Sequence, residues 1–480
     1  MTEPLDPRLL AWRQLIRRLL PFADVATSEV PMSRLLRLSL FQVSIAIAMV
    51  LLTGTLNRVM VVELKVPAWL VATMLALPLV FAPLRALIGH RSDYHHSAFG
   101  LRRIPYIWLG SMLQFGGFAI MPFALLLLSD TSNIFNFLGT LGAGLAFLLV
   151  GAGLHTTQTA GLALATDIAP PDKRSRVVAL LYVTLLVGMV LSSLLFGRLL
   201  THFSPQLLIQ LIQGAAVATI VLNLIALWKQ EAINPARAAN PVELPHFWDA
   251  WREFAAGGKP SLLLIVVALG TAGFTMQDVL LEPYGGQVLR MSVSQTTALT
   301  ALWASGALLS YVLASYWLGH GGNAYRLTAV GIFCGILAFS IVIAAASLGS
   351  VMLFCSGTAL IGLGGGLLAV GTLTAAMDLA SADDSGLHSG LALGAWGAVQ
   401  ATANGIATAM GGTLRDIVSG FAKTGAFGPD MTGPATGYIA VYGFEILLLT
   451  GALLVIIPLA LRDRGRTARS STKIGLEHMP

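Results

Sequence analysis

A chain of 480 residues that is 56% hydrophobic and only 11% charged carries too little polar surface to stand in water as a globular protein, so lipid must be its main solvent. Its apolar runs recur along the whole length and approach the roughly 20 residues needed to cross a hydrocarbon core about 30 Å thick, which excludes a barrel of short alternating strands. The net charge of +6 reads as membrane topology and attraction to anionic lipid, with no nucleic-acid partner.

The first segment, residues 1–36, opens with PRLLAWRQLIRRLLPF, where arginines are interleaved with apolar residues, unlike the clean apolar core of a signal peptide. Leu9, Trp12, Ile16 and Leu19 share one helical face and Arg13, Arg17 and Arg18 the other. That pattern suits a helix lying in the cytoplasmic headgroup layer, with a solvated leader as the alternative. Hydropathy then predicts helices near residues 37 to 61, 67 to 88, 104 to 128, 135 to 160, 177 to 200, 206 to 228, 261 to 283, 296 to 318, 328 to 347, 351 to 375, 388 to 410 and 438 to 461. They form an N-terminal six-helix bundle (37–228), a linker (229–260) and a C-terminal six-helix bundle (261–461), followed by a tail (462–480).

With the N-terminus inside, the inward segments hold 22 of the 29 Lys and Arg residues, the bias expected when basic loops stay cytoplasmic during insertion. Both termini and the linker are therefore expected in the cytoplasm. Cys334 and Cys355 both fall in apolar runs without metal-ligand spacing, so they read as packing residues.

The halves repeat one another. ATDIAPPD (Ala165 to Asp172) after helix 4 aligns without gaps on AMDLASAD (Ala376 to Asp383) after helix 10, and TLNRVMVVE in helix 1 faces TMQDVLLE in helix 7 with one residue of slippage. Charged groups inside a span are costly and usually face a cavity or a partner. Asn57, Arg58 and Glu63 gather in the outer third of helix 1, and Gln277, Asp278 and Glu282 are their counterparts in helix 7. Arg58 and Asp278 occupy related positions with opposite signs, so either they approach across the seam between the halves or each snorkels to water at the outer interface. His155, with Gln158 one turn later, is the clearly intramembrane histidine. Two readings stand for it: a packing residue with a satisfied hydrogen bond, or an axial nitrogen ligand to a pigment metal.

Two six-helix halves related by an axis along the membrane normal resemble the major facilitator superfamily. The loop IGHRSDYHHSAFGLRR resembles its loop signature, through Gly89, Arg91 and Asp93, then Gly100, Arg102 and Arg103, although about four extra residues separate Asp93 from the second glycine. The resemblance implies a cytoplasmic latch of Gly89, Arg91, Asp93, Arg102 and Arg103 with the repeated carboxylates Asp167 and Asp378. Arg326 alone is available to Asp378, so an asymmetric latch is expected.

A narrower resemblance rests on RLSLFQ (Arg37 to Gln42), GTLNRVMVVEL (Gly54 to Leu64), PLRALIGHRSD (Pro83 to Asp93), RRIPYIWLG (Arg102 to Gly110), QFGGFAIMPFALLLLS (Gln114 to Ser129), HTTQTAGLALATD (His155 to Asp167) and QDVLLEPYGG (Gln277 to Gly286). The chain resembles the bacteriochlorophyll delivery family of that superfamily, which holds the PucC and LhaA type of light-harvesting assembly proteins of purple phototrophic bacteria. LLPFAD (Leu19 to Asp24) is more similar to the LhaA-like, core-antenna type. The resemblance implies bacteriochlorophyll as bound cargo, antenna polypeptides and the reaction centre core complex as partners, and a bacterial inner membrane. It makes His155, Gln158, Asn57, Arg58, Glu63, Gln277, Asp278 and Glu282 the candidate pigment or substrate residues, and the magnesium of bacteriochlorophyll the metal that His155 would hold. No catalytic set shares a face, so no enzyme is expected. A proton-coupled transporter of a small amphiphile, or a non-transporting scaffold for antenna helices, are the alternatives. The apolar middle of helices 1 and 7 favours an apolar cargo.

Overall fold

The computed structural model describes residues 31–81, 101, 103–128, 133–169, 174–230, 259–381, 389–428 and 432–462. Among them the regular structure is helical: α1 (Met32–Glu63), α2 (Ala68–Ala76, continued as a 3-10 turn Leu77–Phe81), α3 (Ile104–Leu128), α4 (Asn133–Ile168), α5 (Arg174–Leu199), α6 (Pro205–Leu227), α7a (Lys259–Thr275), α7b (Leu281–Gln287), α8 (Val293–Gly319), α9 (Ala324–Leu348), α10 (Val351–Ser381), α11 (Ser389–Lys423) and α12 (Ala435–Arg462). Among the described residues ten spans are long and apolar enough to cross a membrane; α2 is shorter over its described residues, and α11 falls outside the ten. The protein is a multi-pass, all-α membrane protein.

Local chemistry explains several boundaries. Ser204 caps α6 by accepting the Leu207 N–H at 3.2 Å, with Pro205 in the first turn where its missing N–H costs nothing. Ser292 and Gln295 form a reciprocal capping box at the start of α8. Asn323 caps α9, which ends on Gly349 in the left-handed region. Helix 4 runs to Ile168, past the expected end near 160, and stops before the Pro170–Pro171 pair. Helix 11 runs to Lys423, well past the expected 410. Arg415 and Asp416, beyond the expected end of that helix, are therefore on it.

Two hydrophobic clusters form the core. One is built from α1 to α6 and takes in Val293, Ala304 and Ala307 of α8; the other is built from α7a to α12. The inclusion of α8 residues in the first cluster marks the seam, where α8 packs on α5 and α11 on α2.

The first helices of the two halves end alike. Helix α1 closes with the Val66 N–H on the Met60 carbonyl at 2.9 Å, and the α7b turn closes with the Met291 N–H on the Gly285 carbonyl at 2.9 Å. The residue before each donor is a non-glycine in the left-handed region, Lys65 (φ 54°) and Arg290 (φ 55°). Such residues are uncommon, and the same strained closure at both ends extends the internal repeat beyond what the residue pattern displays.

Candidate functional site at the seam

The residues singled out in helices 1 and 7 meet, but not as the repeat implied. Pro283 in α7b has no N–H, so the carbonyl four residues earlier, Val279, is left without its helical donor. Asn57 Nδ2 crosses the seam and donates to that oxygen at 2.9 Å. Around it, Thr55 and Thr297 share a hydroxyl contact at 3.2 Å, Ser193 donates to the Thr297 carbonyl, and Gln287 Nε2 donates to the Val61 carbonyl at 3.3 Å. Gly54 permits this approach: a Cβ there would stand 2.6 Å from Glu282 Oε1. These bonds join the halves at the end of the bundle opposite Met32, called here the far end.

Arg58, 5% exposed, donates to Glu63 on its own helix and to the Met291 carbonyl at 3.3 Å. Its charge also reaches Glu282, which is 3% exposed and accepts from Thr300 Oγ1 at 2.5 Å. Asp278 instead accepts from Gln277 Nε2, so the expected Arg58–Asp278 approach is not formed. The reason is register. Arg58 stands seven residues before its left-handed loop residue Lys65, whereas Asp278 stands twelve before Arg290, and five extra residues set Asp278 about 7 Å farther along a helix.

That depth also corrects the placing of the carboxylates. Asp278 stands nine residues in from Gln287 at the end of α7b and Glu445 ten in from Ala435 at the start of α12, or about 14 to 15 Å, which is near the middle of a core about 30 Å thick. Helix 7 is broken there by a 3-10 turn, Met276–Val279. The Gln277 N–H released by the break is taken by Glu445 Oε1 at 2.7 Å, and Glu445 is fully buried in α12. Glu445 is seven residues in from the expected helix start at 438 and ten in from the observed one, because a helix end assigned without its packing partners understates depth.

A second far-end network was not anticipated. Arg415 donates to Asp416 and to Gln287, each at 2.6 Å, and lies 4.7 Å over the ring of Tyr438, whose hydroxyl donates to Gln287 at 2.8 Å. Asp416 Oδ2 accepts the Trp69 N–H, at the start of α2 in the other half, at 2.8 Å. The available signal was an Arg-Asp pair one turn beyond a glycine-rich apolar run.

At the near end, Arg103 Nε lies 3.0 Å from Asp167 Oδ2, a bond inside the first half between α3 and α4. Gly89, Arg91, Asp93 and Arg102 lie outside the described residues. Asp378 is exposed near the end of α10, while Arg326 Nε donates to the Ala460 carbonyl at 3.4 Å. His155 and Gln158 are half-buried in α4, on the helical stripe that begins at Gly151, against which Pro78 of α2 packs. Within the first half a polar row also escaped the sequence reading: Asn223 donates to Ser111 at 2.7 Å and Ser44 to Gln114 at 3.3 Å, beside the fully buried Gln42.

Residues 55–464 match the family described as PUCC protein. The chain belongs to that family. It is 50% identical over 447 residues to Protein PucC of Cereibacter sphaeroides, covering 92% of this chain and 95% of that one. It is 54% identical over 407 residues to Protein PucC of Rhodovulum sulfidophilum, with 84% and 89% covered. A more distant relative, the bacteriochlorophyll synthase 44.5 kDa chain of Rhodobacter capsulatus, is 27% identical over 433 residues, with 88% and 94% covered. Among solved structures, a bacterial homologue of the lysosomal transporter Spinster, inward-facing and unoccupied, superposes with a TM-score of 0.63 at 16% identity over 90% of this chain and 98% of that one. That likeness gives this PUCC protein the major facilitator fold.

Proposed function

We propose that this protein is an assembly factor for the photosynthetic core light-harvesting antenna, which binds bacteriochlorophyll or a late precursor and hands it to antenna polypeptides as they gather around the reaction centre. It sits in the bacterial inner membrane with both termini and the 229–260 linker in the cytoplasm, so the far end is the periplasmic side. It is not an enzyme. The observation that carries this reading is the identity of about half the residues to proteins named PucC across nearly the whole chain. The neutral character of many seam contacts, hydroxyls and amides on carbonyls, suits an apolar cargo better than a charged one. His155, on a stripe of α4 facing α2, is the neutral donor proposed for magnesium.

Deleting the protein from a pigment-making host should lower assembled core antenna while antenna transcripts persist, and the intact chain should restore it. Unchanged core antenna in the deletion strain would contradict the proposal. A second reading, a proton-coupled transporter of a small amphiphile, draws support from the mid-depth carboxylates Asp278 and Glu445. Uptake or efflux in vesicles that dissipates a proton gradient without pigment would favour it.

A further inference from the structure

The α7 break gathers buried oxygen atoms whose bonding is incomplete. Glu445 is fully buried, and its Oε1 takes the Gln277 N–H while its Oε2 has no hydrogen-bond partner. Gln277 is 1% exposed; its amide nitrogen donates to Asp278 and to the Phe274 carbonyl, and its Oε1 is likewise without a partner. The Asp278 carboxylate stands within electrostatic reach of Glu445. A fully buried carboxylate and a half-buried one thus share the broken turn, Glu445 on the Gln277 N–H and Asp278 on the Gln277 side chain, where unpaired charge is costly.

The groups packed around them do not supply the missing charge. Tyr442, on the same helix as Glu445, is a neutral phenol that joins Tyr284 and stacks on Phe339. Tyr284 donates to the Val342 carbonyl and packs edge-on against Tyr438. From α11, Gly411 meets the Met276 carbonyl, and the next charged groups, Arg415 and Asp416, are committed to each other, to Gln287, to Tyr438 and to Trp69. Helix α2 brings no titratable side chain. Arg58 is engaged with Glu63, Met291 and Glu282.

We propose that this cluster, Glu445 and Asp278 with the Gln277 amide oxygen, binds one small monovalent cation, Na+ or a proton, that neutralises the carboxylate pair. Oxygen donors at the ends of a broken helix suit a hard cation, and a proton shared between two carboxyl groups satisfies the same need. The site adjoins Val279, whose carbonyl takes Asn57 across the seam, so occupancy favours the closed far end. The proposal is independent of pigment.

The test uses the full chain in lipid nanodiscs without pigment and follows the thermal unfolding midpoint while NaCl replaces choline chloride at constant ionic strength, at several pH values. A ligand that binds the folded state raises the midpoint with its concentration. A saturable rise with Na+ assigns Na+; a rise as pH falls, with no Na+ response, assigns the proton. Either dependence should vanish in Glu445→Gln and in Asp278→Asn and persist in Tyr442→Phe. A midpoint indifferent to both ions, or a dependence that survives both carboxylate changes, overturns the proposal. Should neither carboxylate variant fold, infrared difference spectra of the unaltered protein decide: a carboxyl or carboxylate band that shifts with Na+ or pH supports the site, and a silent spectrum overturns it.

Discussion

Arg58 shows how one residue can be read correctly as important and wrongly as to partner. A guanidinium within a span needs a counter-charge, and the sequence offered Asp278 by repeat symmetry; the structure supplies Glu63 on the same helix and Glu282 across the seam. Removing one member of a buried charged set costs about 3–5 kcal/mol because the other is left unpaired. Arg58→Ala should therefore lower the unfolding midpoint in detergent, and Arg58→Ala combined with Glu282→Gln should lower it by less than the two separate losses together. Strict additivity would show that Arg58 and Glu282 do not interact. His155 is read by the same logic of donor chemistry: His155→Leu keeps an apolar side chain of similar bulk, so the fold should survive while bound pigment falls or its absorption maximum shifts. Equal pigment with an unchanged maximum would remove His155 as the ligand.

Among the elements, helix existence was legible because each span is long and apolar, and the ends expected for helices 3, 5, 6 and 8 lie within a few residues of the observed ones. The far end of helix 11 was not, since Gly411, Gly412 and the polar run after them weaken the hydropathy signal while tertiary packing on α2 holds the helix together. The sequence analysis expects one unbroken helix over 261 to 283; Pro283, Gly285 and Gly286 were the available signal for the α7 break, and only packing shows Glu445 and Asn57 taking the released N–H and carbonyl. The α2–α11 contact has its own test. A Cβ on Gly412 would meet the Ala68 carbonyl oxygen at 2.4 Å and the Ala72 Cβ at 2.5 Å, whereas a Cβ on Gly420 meets nothing within 4 Å. Gly412→Ala should destabilise the protein by about 1–3 kcal/mol through overpacking. Gly420→Ala, on the same helix, should be neutral or stabilising by up to about 1 kcal/mol through helix propensity. Equal effects would mean that α2 does not press on α11.

For the whole molecule, the two-half repeat was visible in ATDIAPPD and AMDLASAD, but the way the halves meet was not. Sequence pattern identifies polar residues in spans without fixing their depth, and five residues of extra chain in helix 7 set Asp278 off from Arg58. The bonds described between the halves lie at the far end, so cysteines replacing Thr55 and Thr297, whose hydroxyl oxygens are 3.2 Å apart, should crosslink under mild oxidation after Cys334 and Cys355 are changed to Ala. On the proposed function, in which cargo passes through alternating access states, the locked protein should lose assembly activity and regain it on reduction, because this end would have to open. Failure to crosslink would contradict the closed seam. The central claim, that this PUCC protein carries bacteriochlorophyll during antenna assembly, is tested most directly by isolating the tagged chain in mild detergent from pigment-making cells that lack antenna polypeptides and recording its absorption spectrum. The expected result is a stoichiometric bacteriochlorophyll or late-precursor band that migrates with the protein; a chain that assembles antenna normally in its parent host yet carries no pigment under these conditions would contradict the claim.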